Sequence, residues 1–358
     1  MSAEILDDLE RIRQLDRSGM APLIAGLPGQ LAQTPRLVEA GSWPRWTRND
    51  FDGIVVLGMG GSAIGGDLVR AYLGDTLPVP MSIVRDYRLP RWVNLRALVV
   101  ASSYSGNTEE TLRAVEEASR RSCRIIALCS GGELGRLAER YGWPIVALPG
   151  GFPPRTALGY SFAAVYLTLS RFGIVDNPVA LLLRLSEFLN ARNAALTPNV
   201  PLADNEAKRL ASAIHGRIPV VYGAAGSMAV VALRWKGQVC ENAKDLAFCG
   251  EAPECNHNEI VGWGLPSVSR EKMITVFLRS VDDHPRVARR FDIVGQLLHD
   301  RGVLVETVWA TGDKPLLRLF SLIQLGDWVS FYLAILNGVD PTPIAAIDYL
   351  KARLNETG

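Results

Sequence analysis

With 358 residues, 48% of them hydrophobic and 21% charged, the chain can bury two ordinary cores and reads as a soluble globular protein of two domains. Its formal net charge of +1 supplies no general field for nucleic acid or a membrane surface, so both are excluded as partners and any anion must be held by a local site. Five cysteines, an odd number in a long chain, fit a reducing compartment and not a disulfide framework.

The N-terminal stretch Met1 to Gln14 is acidic and amphipathic, without the apolar run of a signal peptide. The apolar stretch Ser161 to Leu189 is interrupted by Arg171, Gly173, Asp176 and Pro178, too soon for a membrane span. The expectation is a cytoplasmic protein. Residues 1–46 carry no motif and are expected to form a helical N-terminal segment.

Gly53 to Leu57 is a short apolar run that enters Gly58-Met59-Gly60-Gly61-Ser62-Ala63 and then an amphipathic stretch through Leu73. This is strand, tight turn and helix. Taken alone, Gly58-x-Gly60-x-x-Ala63 resembles a dinucleotide fingerprint, with Asp86 after the next strand as its ribose acid. Apolar runs continue at Val79 to Val84, Ala97 to Ala101, Arg124 to Leu128 and Pro144 to Leu148, with helical periodicity at Asn107 to Arg121 and Glu133 to Tyr141. The alternation predicts a five-stranded parallel sheet covered on both faces. In a flavodoxin-like strand order, the loops after strands one and three open into one crevice.

The third strand runs into Ser103-Tyr104-Ser105-Gly106-Asn107-Thr108, ahead of a charged helix. Ser103, Ser105 and Thr108, together with the free amides of a helix start, aim donors at one place, a cradle for a dianionic phosphate monoester. No P-loop lysine is present, which favours a sugar phosphate over a triphosphate with magnesium. A dinucleotide has no need of such a loop.

Gly150 to Arg155 reads as a linker, followed by helices at Thr156 to Phe172 and Pro178 to Asn193. Arg155 follows two prolines that stiffen its approach, although it also fits an exposed linker cation. After a second boundary at Pro198 to Pro201 and a helix at Asp204 to His215, Ile218 to Ser227 repeats the plan of strand, small-residue turn and helix. The next strand, Met273 to Leu278, ends in Arg279-Ser280-Val281-Asp282-Asp283, acidic where the first copy has hydroxyls. One phosphate site per chain is expected.

Acid–base candidates are few. Glu241 lies near the end of a helix expected over Ser227 to Lys244, where it also reads as a surface carboxylate beside Lys244. His257 stands in the aperiodic polar segment Glu251 to Glu259, the context in which positioned groups occur, with Glu254 and Glu259 as neighbouring carboxylates. His284 and His299 fit solvated or packing roles. Cys240, Cys249, Cys255 and His257 lie within reach of a zinc reading but lack paired C-x-x-C knuckles, so no metal is expected. Lys351 sits on a last helix expected over Pro343 to Leu354, ordinarily a solvated position.

Taken in order, Gly60, Gly61 and Ser62, then Ser103 to Thr108, Pro154-Arg155, Glu241-Asn242-Ala243-Lys244, Asn256-His257-Asn258-Glu259 and Lys351 resemble the sugar isomerase (SIS) domain superfamily. Within it the likeness is to bifunctional phosphoglucose/phosphomannose isomerases and covers nearly the whole chain. It implies an α/β fold of two flavodoxin-like three-layer αβα SIS domains with parallel sheets, at 47–152 and 201–340. Linker helices at 153–200 and a C-terminal helix at 341–358 complete the expected organisation.

The resemblance further implies metal-independent aldose–ketose isomerisation of hexose 6-phosphates with no cofactor. Gly60, Gly61, Ser62, Ser103, Ser105 and Thr108 would hold the phosphate. Glu241 would be the base, His257 with Lys351 the ring opener, and Arg155 the partner of the enediolate. A homodimer with His257 contributed across the interface is also implied. A phosphosugar-binding regulatory protein would need neither Glu241 nor His257, and a nicotinamide-dependent oxidoreductase would use Gly58 to Ala63 instead.

Overall fold

The computed structural model describes residues 3–264, 267 and 271–356, so the outermost two positions at each end of the expected terminal segments lie outside it. The chain forms two compact units. One joins Ala25–Ala191 with Gly312–Phe320; the other joins the chain before Ala25, Arg192–Thr311 and the chain from Ser321 onward.

The first unit is built on strands β1 (Gly53–Leu57), β2 (Met81–Val84), β3 (Ala97–Ser102), β4 (Arg124–Cys129) and β5 (Ile145–Ala147). All pairings are parallel, in the order β2-β1-β3-β4-β5. This is the expected flavodoxin-like order. Every residue of β1 and β3 is buried, because helices cover both faces. Val55, Leu57, Val99 and Ala101 pack with Ala114, Val115, Leu134 and Ala138 of the helices Glu109–Arg120 and Gly132–Tyr141. Val56, of opposite parity, meets Gly66 of the helix Gly60–Leu73.

The second unit carries β6 (Ile218–Ala224), β7 (Phe248–Ala252), β8 (Met273–Arg279) and β9 (Leu304–Trp309), all parallel, in the order β7-β6-β8-β9. The sequence points to β6 and β8. The edge strands β7 and β9 are additions from the structure, half exposed, with Glu251 and Thr307 as well as Phe248, Leu304 and Trp309 open to solvent.

The helix Pro315–Leu336 is long and apolar enough to cross a membrane, with a mean hydropathy of 1.6 over its most apolar window, but that window is wholly buried in the protein. It is a core helix. Gly326 on this helix admits the Trp235 indole, whose Nε1–H donates to the Leu322 carbonyl at 2.8 Å; a Cβ at 326 would lie 2.2 Å from that nitrogen. Beside it Arg234 donates to Asp327 at 2.7 Å, with both side chains buried. Burial raises the Asp327 carboxyl, against the opposing pull of Arg234 and Gln238. At the start of the chain, the 3₁₀ turn Ala3–Asp7 is tied down by the buried Lys208 ammonium, which donates to Asp7 at 3.0 Å and to the Pro198 carbonyl at 2.9 Å.

Within the first unit the N-terminal helix Leu27–Glu39 has a specific task. Its buried Gln30 donates to the Thr156 carbonyl at 2.6 Å and accepts from the Gly159 amide at 3.0 Å, bracketing the turn that carries Arg155. Gly159 is required there, because a Cβ would lie 2.7 Å from the Gln30 Cβ. Gln30→Leu orphans two buried backbone groups, each costing about 1–3 kcal/mol. A combined drop of about 2–6 kcal/mol in unfolding free energy is expected from urea titration at an unchanged m-value.

Candidate active site

The two loops foreseen at the carboxyl ends of β1 and β3 adjoin one another. The Ser62 hydroxyl oxygen accepts the Tyr104 amide at 3.0 Å, and the Ser62 carbonyl accepts the Ser102 hydroxyl at 3.0 Å. Ser62 and Ser103 are buried. Ser103 donates to the Thr108 hydroxyl at 3.0 Å, so it supports the loop from beneath, while Ser105 is exposed and Thr108 half-buried at the mouth. Ser105 Oγ accepts the Asn107 amide at 3.3 Å, which leaves its own proton for a ligand. Thr108 stands at the N-cap of the helix Glu109–Arg120 without making a side-chain cap bond. The first amides of that helix are therefore not capped by this side chain, the condition under which a helix start can take an anion.

Tyr104 and Asn107, the other polar members of the loop, serve its architecture. The Tyr104 hydroxyl donates to the Pro149 carbonyl at 2.6 Å and accepts the Phe152 amide at 3.0 Å; burial pushes its phenol above the usual range. The Asn107 side chain accepts the Glu133 amide at 2.9 Å. Gly106, at φ +69°, is obligatory: a Cβ would lie 1.9 Å from the Gly131 carbonyl oxygen.

Gly60 and Gly61 open the helix Gly60–Leu73, Gly60 in a left-handed conformation at φ +47°. A Cβ on Gly61 would lie 2.6 Å from the Pro154 carbonyl oxygen and 3.0 Å from the Arg155 Cα. The glycine thus brings the Arg155 turn against the helix start. Arg155 is not the exposed linker cation that its position allows, since it is only 3% exposed. The dinucleotide reading finds other uses for its residues. Gly58 abuts the Ser102 carbonyl, 2.8 Å from where a Cβ would stand, and Asp86 accepts the amide of its own neighbour Tyr87 at 2.6 Å.

In the second unit the loop after β8 is closed on itself. Asp283 accepts the Ser280 amide at 3.1 Å and the Arg279 guanidinium at 3.2 Å, and Arg279 also reaches Asp292 at 3.1 Å. Here the chain's own carboxylate takes the local amide and guanidinium donors. Burial, opposed by these bonds, raises the Asp283 carboxyl.

Glu241 lies in a π-helical turn, Val239–Ala243, that follows the helix Ser227–Gln238, so the regular helix ends earlier than its sequence suggests. Lys244 also closes the turn through backbone carbonyls. Its ammonium donates to the Glu241 carbonyl at 2.5 Å and to the Pro341 carbonyl at 3.0 Å. Asn242 donates to Ser330 at 2.9 Å, and Asn337 to the Ala243 carbonyl at 2.9 Å. The widened turn is thereby satisfied, and the Glu241 side chain is half-buried.

His257 ends the 3₁₀ turn Glu254–His257 and is exposed. Gly223 of β6 faces the helix that leads to Glu241, since a Cβ there would lie 2.3 Å from the Met228 carbonyl oxygen. Its neighbour Tyr222 points the other way, into a cluster with Cys255 and Trp263 on either side of His257. Successive strand residues face opposite sides, so a sheet separates the elements bearing Glu241 and His257 within one chain. Lys351 is exposed on the helix Ala345–Glu356. His284 caps the helix Pro285–Asp300, its Nδ1 accepting the Arg286 amide at 3.2 Å.

The five thiols are free. Burial pushes Cys255 up to about 11 and raises Cys249 as well. Among the described residues, no three His, Cys, Asp or Glu side chains are grouped to share a metal ion.

A family model described as the bacterial phospho-glucose isomerase C-terminal SIS domain matches residues 203–354. The bifunctional phosphoglucose/phosphomannose isomerase of Caldicellulosiruptor bescii is 42% identical over 309 residues, covering 86% of this chain and 91% of the relative. That of Aquifex aeolicus is 37% identical over 307 residues, with 86% and 91% covered. Among solved structures, a hypothetical protein of Thermus thermophilus has the same fold, with a TM-score of 0.75 at 16% identity over 97% of this chain and 94% of that one. With a hydroxyl-lined loop beside β1 and two parallel sheets flanked by helices, the chain belongs to the bifunctional phosphoglucose/phosphomannose isomerase family.

Proposed function

We propose that the chain interconverts glucose 6-phosphate and mannose 6-phosphate with fructose 6-phosphate through a cis-enediol, without a metal ion. The observation that carries this reading is the start of the helix Glu109–Arg120, where Ser105 and Thr108 present hydroxyls beside amides that the Thr108 side chain does not cap. Neutral donors converging on a helix start suit a dianionic phosphate monoester. The names of the two relatives supply the sugars.

Ser105 and Thr108 donate to the phosphate, and Gly60, Gly61, Ser62 and Ser103 shape the cradle around it. Holding this remote group lowers the entropic cost of placing C1 and C2. On the open aldose, Glu241 takes the C2 proton as the C1=C2 bond forms and negative charge develops on O1. Arg155 is the counter-charge, and its near-complete burial places the guanidinium where water screens little. The proton carried by Glu241 returns to C1 while the O2 proton passes to O1 and C2=O forms. Glucose and mannose 6-phosphates differ only at C2 and give the same planar enediol, so one base serves both.

Ring opening moves a proton from the C1 hydroxyl to O5 as the C1–O5 bond breaks, and His257 with Lys351 performs it. The sheet standing between the elements that bear Glu241 and His257 supports a homodimer in which His257 of a second copy completes each site.

Ser105→Ala and Thr108→Val each remove a hydrogen bond to a charged group worth about 1.5–3 kcal/mol. Substrate affinity should weaken by roughly one to two decades, and unchanged Michaelis constants in both variants would place the phosphate elsewhere. Turnover should persist after exhaustive chelation; loss restored by zinc would return Cys240, Cys249, Cys255 and His257 to consideration. Glu241→Gln should lower isomerisation and C2 proton exchange with solvent by about 100- to 10,000-fold. If His257 crosses between copies, mixing inactive Glu241→Gln and His257→Ala subunits regenerates about a quarter of wild-type activity, since half the dimers are mixed and each has one intact site. A mixture that stays inactive after subunit exchange would put both groups in one subunit.

A further inference from the structure

His257 is exposed, yet the chain on both sides of it is pinned. Ahead of it, Cys255 is buried in the face of the second sheet. After it, Asn258 donates from its side chain to Glu254 at 3.0 Å and accepts the Glu259 amide at 2.6 Å, closing the turn around the histidine. The Glu259 carboxylate is then held by the Tyr222 hydroxyl, which donates to Oε2 at 2.6 Å, and the Trp263 indole N–H reaches the same hydroxyl at 3.4 Å.

Tyr222 is buried in the centre of the sheet on β6, so this bond ties an outer turn to the most rigid part of the unit. Gly250 on the neighbouring strand makes room for the pair. A Cβ there would lie 2.7 Å from the Tyr222 ring and 3.3 Å from Glu259 Oε1. Burial first, and the carboxylate second, raise the Tyr222 phenol well above its usual range, so it stays a donor.

We propose that Tyr222 and Glu259 are positioning residues for the ring-opening step: their hydrogen bond fixes the turn Glu254–Glu259 so that His257 is presented in one geometry. The inference rests on the role given to His257 above. A histidine that must meet a sugar bound largely by other elements cannot correct its own placement, and about 1 Å of displacement is enough to cost up to roughly 100-fold. A charge-assisted bond from the sheet restricts that displacement at its source. The base Glu241 is carried on the opposite face of β6 and is independent of this tether.

The test separates ring opening from enolisation. Exchange between the α and β anomers of glucose 6-phosphate, followed by NMR magnetisation transfer, reports ring opening alone. In Tyr222→Phe it should fall between about 10- and 100-fold. In the same variant the isotope effect of deuterium at C2 on kcat/KM should shrink toward unity, because ring opening then limits the reaction. Glu259→Gln keeps a carbonyl oxygen to accept the phenol proton and should retain anomer exchange within about threefold, whereas Glu259→Ala should behave as Tyr222→Phe.

Glu259 is exposed, so the Glu259→Ala arm remains informative even where Tyr222→Phe unfolds. Anomer exchange at the wild-type rate in Tyr222→Phe or Glu259→Ala overturns the proposal. So does a fall in kcat/KM with the isotope effect undiminished, which marks a general structural loss. Failure of the underlying reading looks different: an active wild type whose anomer exchange survives His257→Ala removes the histidine's role, and the tether's role with it.

Discussion

The first unit depends on how closely the helix Gly60–Leu73 approaches the segment that follows the sheet. A methyl at Gly61 would stand 2.6 Å from the Pro154 carbonyl oxygen, and one at Gly65 2.6 Å from the Ser161 hydroxyl and 2.8 Å from the Phe162 amide. Carbon atoms do not tolerate such distances, so any larger residue moves either the helix or the Arg155 turn. Moving the helix also carries Ser62 away from the Tyr104 amide and loosens the hydroxyl loop. Cradle geometry and Arg155 placement are therefore consequences of one backbone contact. The glycines that imitate a dinucleotide fingerprint have local causes, Gly58 a close approach to the Ser102 carbonyl and Gly60 a left-handed φ of +47°.

The sequence is legible where one physical cause dominates. β1 and β3 are buried on both faces, so they are continuous apolar runs, and the loops that follow them are where α/β sheets bind ligands. It is less legible where partners are distant. Gln30 bonds to residues 126 and 129 positions away, and nothing near it in sequence marks it as the brace of the Arg155 turn. The helix Pro315–Leu336 is apolar all round because it is wholly enclosed, so it shows no amphipathic period by which to find it. β7 and β9 are edge strands whose polar residues break the alternation that identifies half-buried strands. The π-helical turn at Glu241 follows from Ser330 and Asn337, which lie on the far side of the second sheet in sequence.

The two sheets show how a duplicated plan diverges. After β3 the loop offers hydroxyls and an N-terminus whose N-cap side chain makes no cap bond; after β8 the corresponding position is occupied by Asp283, which accepts the local amide and pairs with Arg279. The guanidinium of Arg279 lies between the Phe291 and Trp309 rings, 5.0 Å and 4.8 Å from their centroids. A dianion would have to displace a carboxylate already paired and desolvated in that site, and separating such a pair costs about 3–5 kcal/mol. The acidic run legible in the sequence is thus an internal counter-ion for Arg279.

Glu241 and His257, the proposed acid–base groups, are mounted in different ways. Glu241 sits in a π-helical turn whose Glu241 and Ala243 carbonyls accept from Lys244 and Asn337. His257 ends its turn, exposed, with the anchoring placed on the residues around it. A base that must move one proton between adjacent carbons benefits from a fixed, half-buried seat, where its reach and basicity are set by surroundings that do not change. A group that serves a ring oxygen from outside its own sheet has no such enclosure available. Its precision has to come from the rigidity of the turn, and that rigidity leads through Glu259 and Tyr222 to the centre of β6.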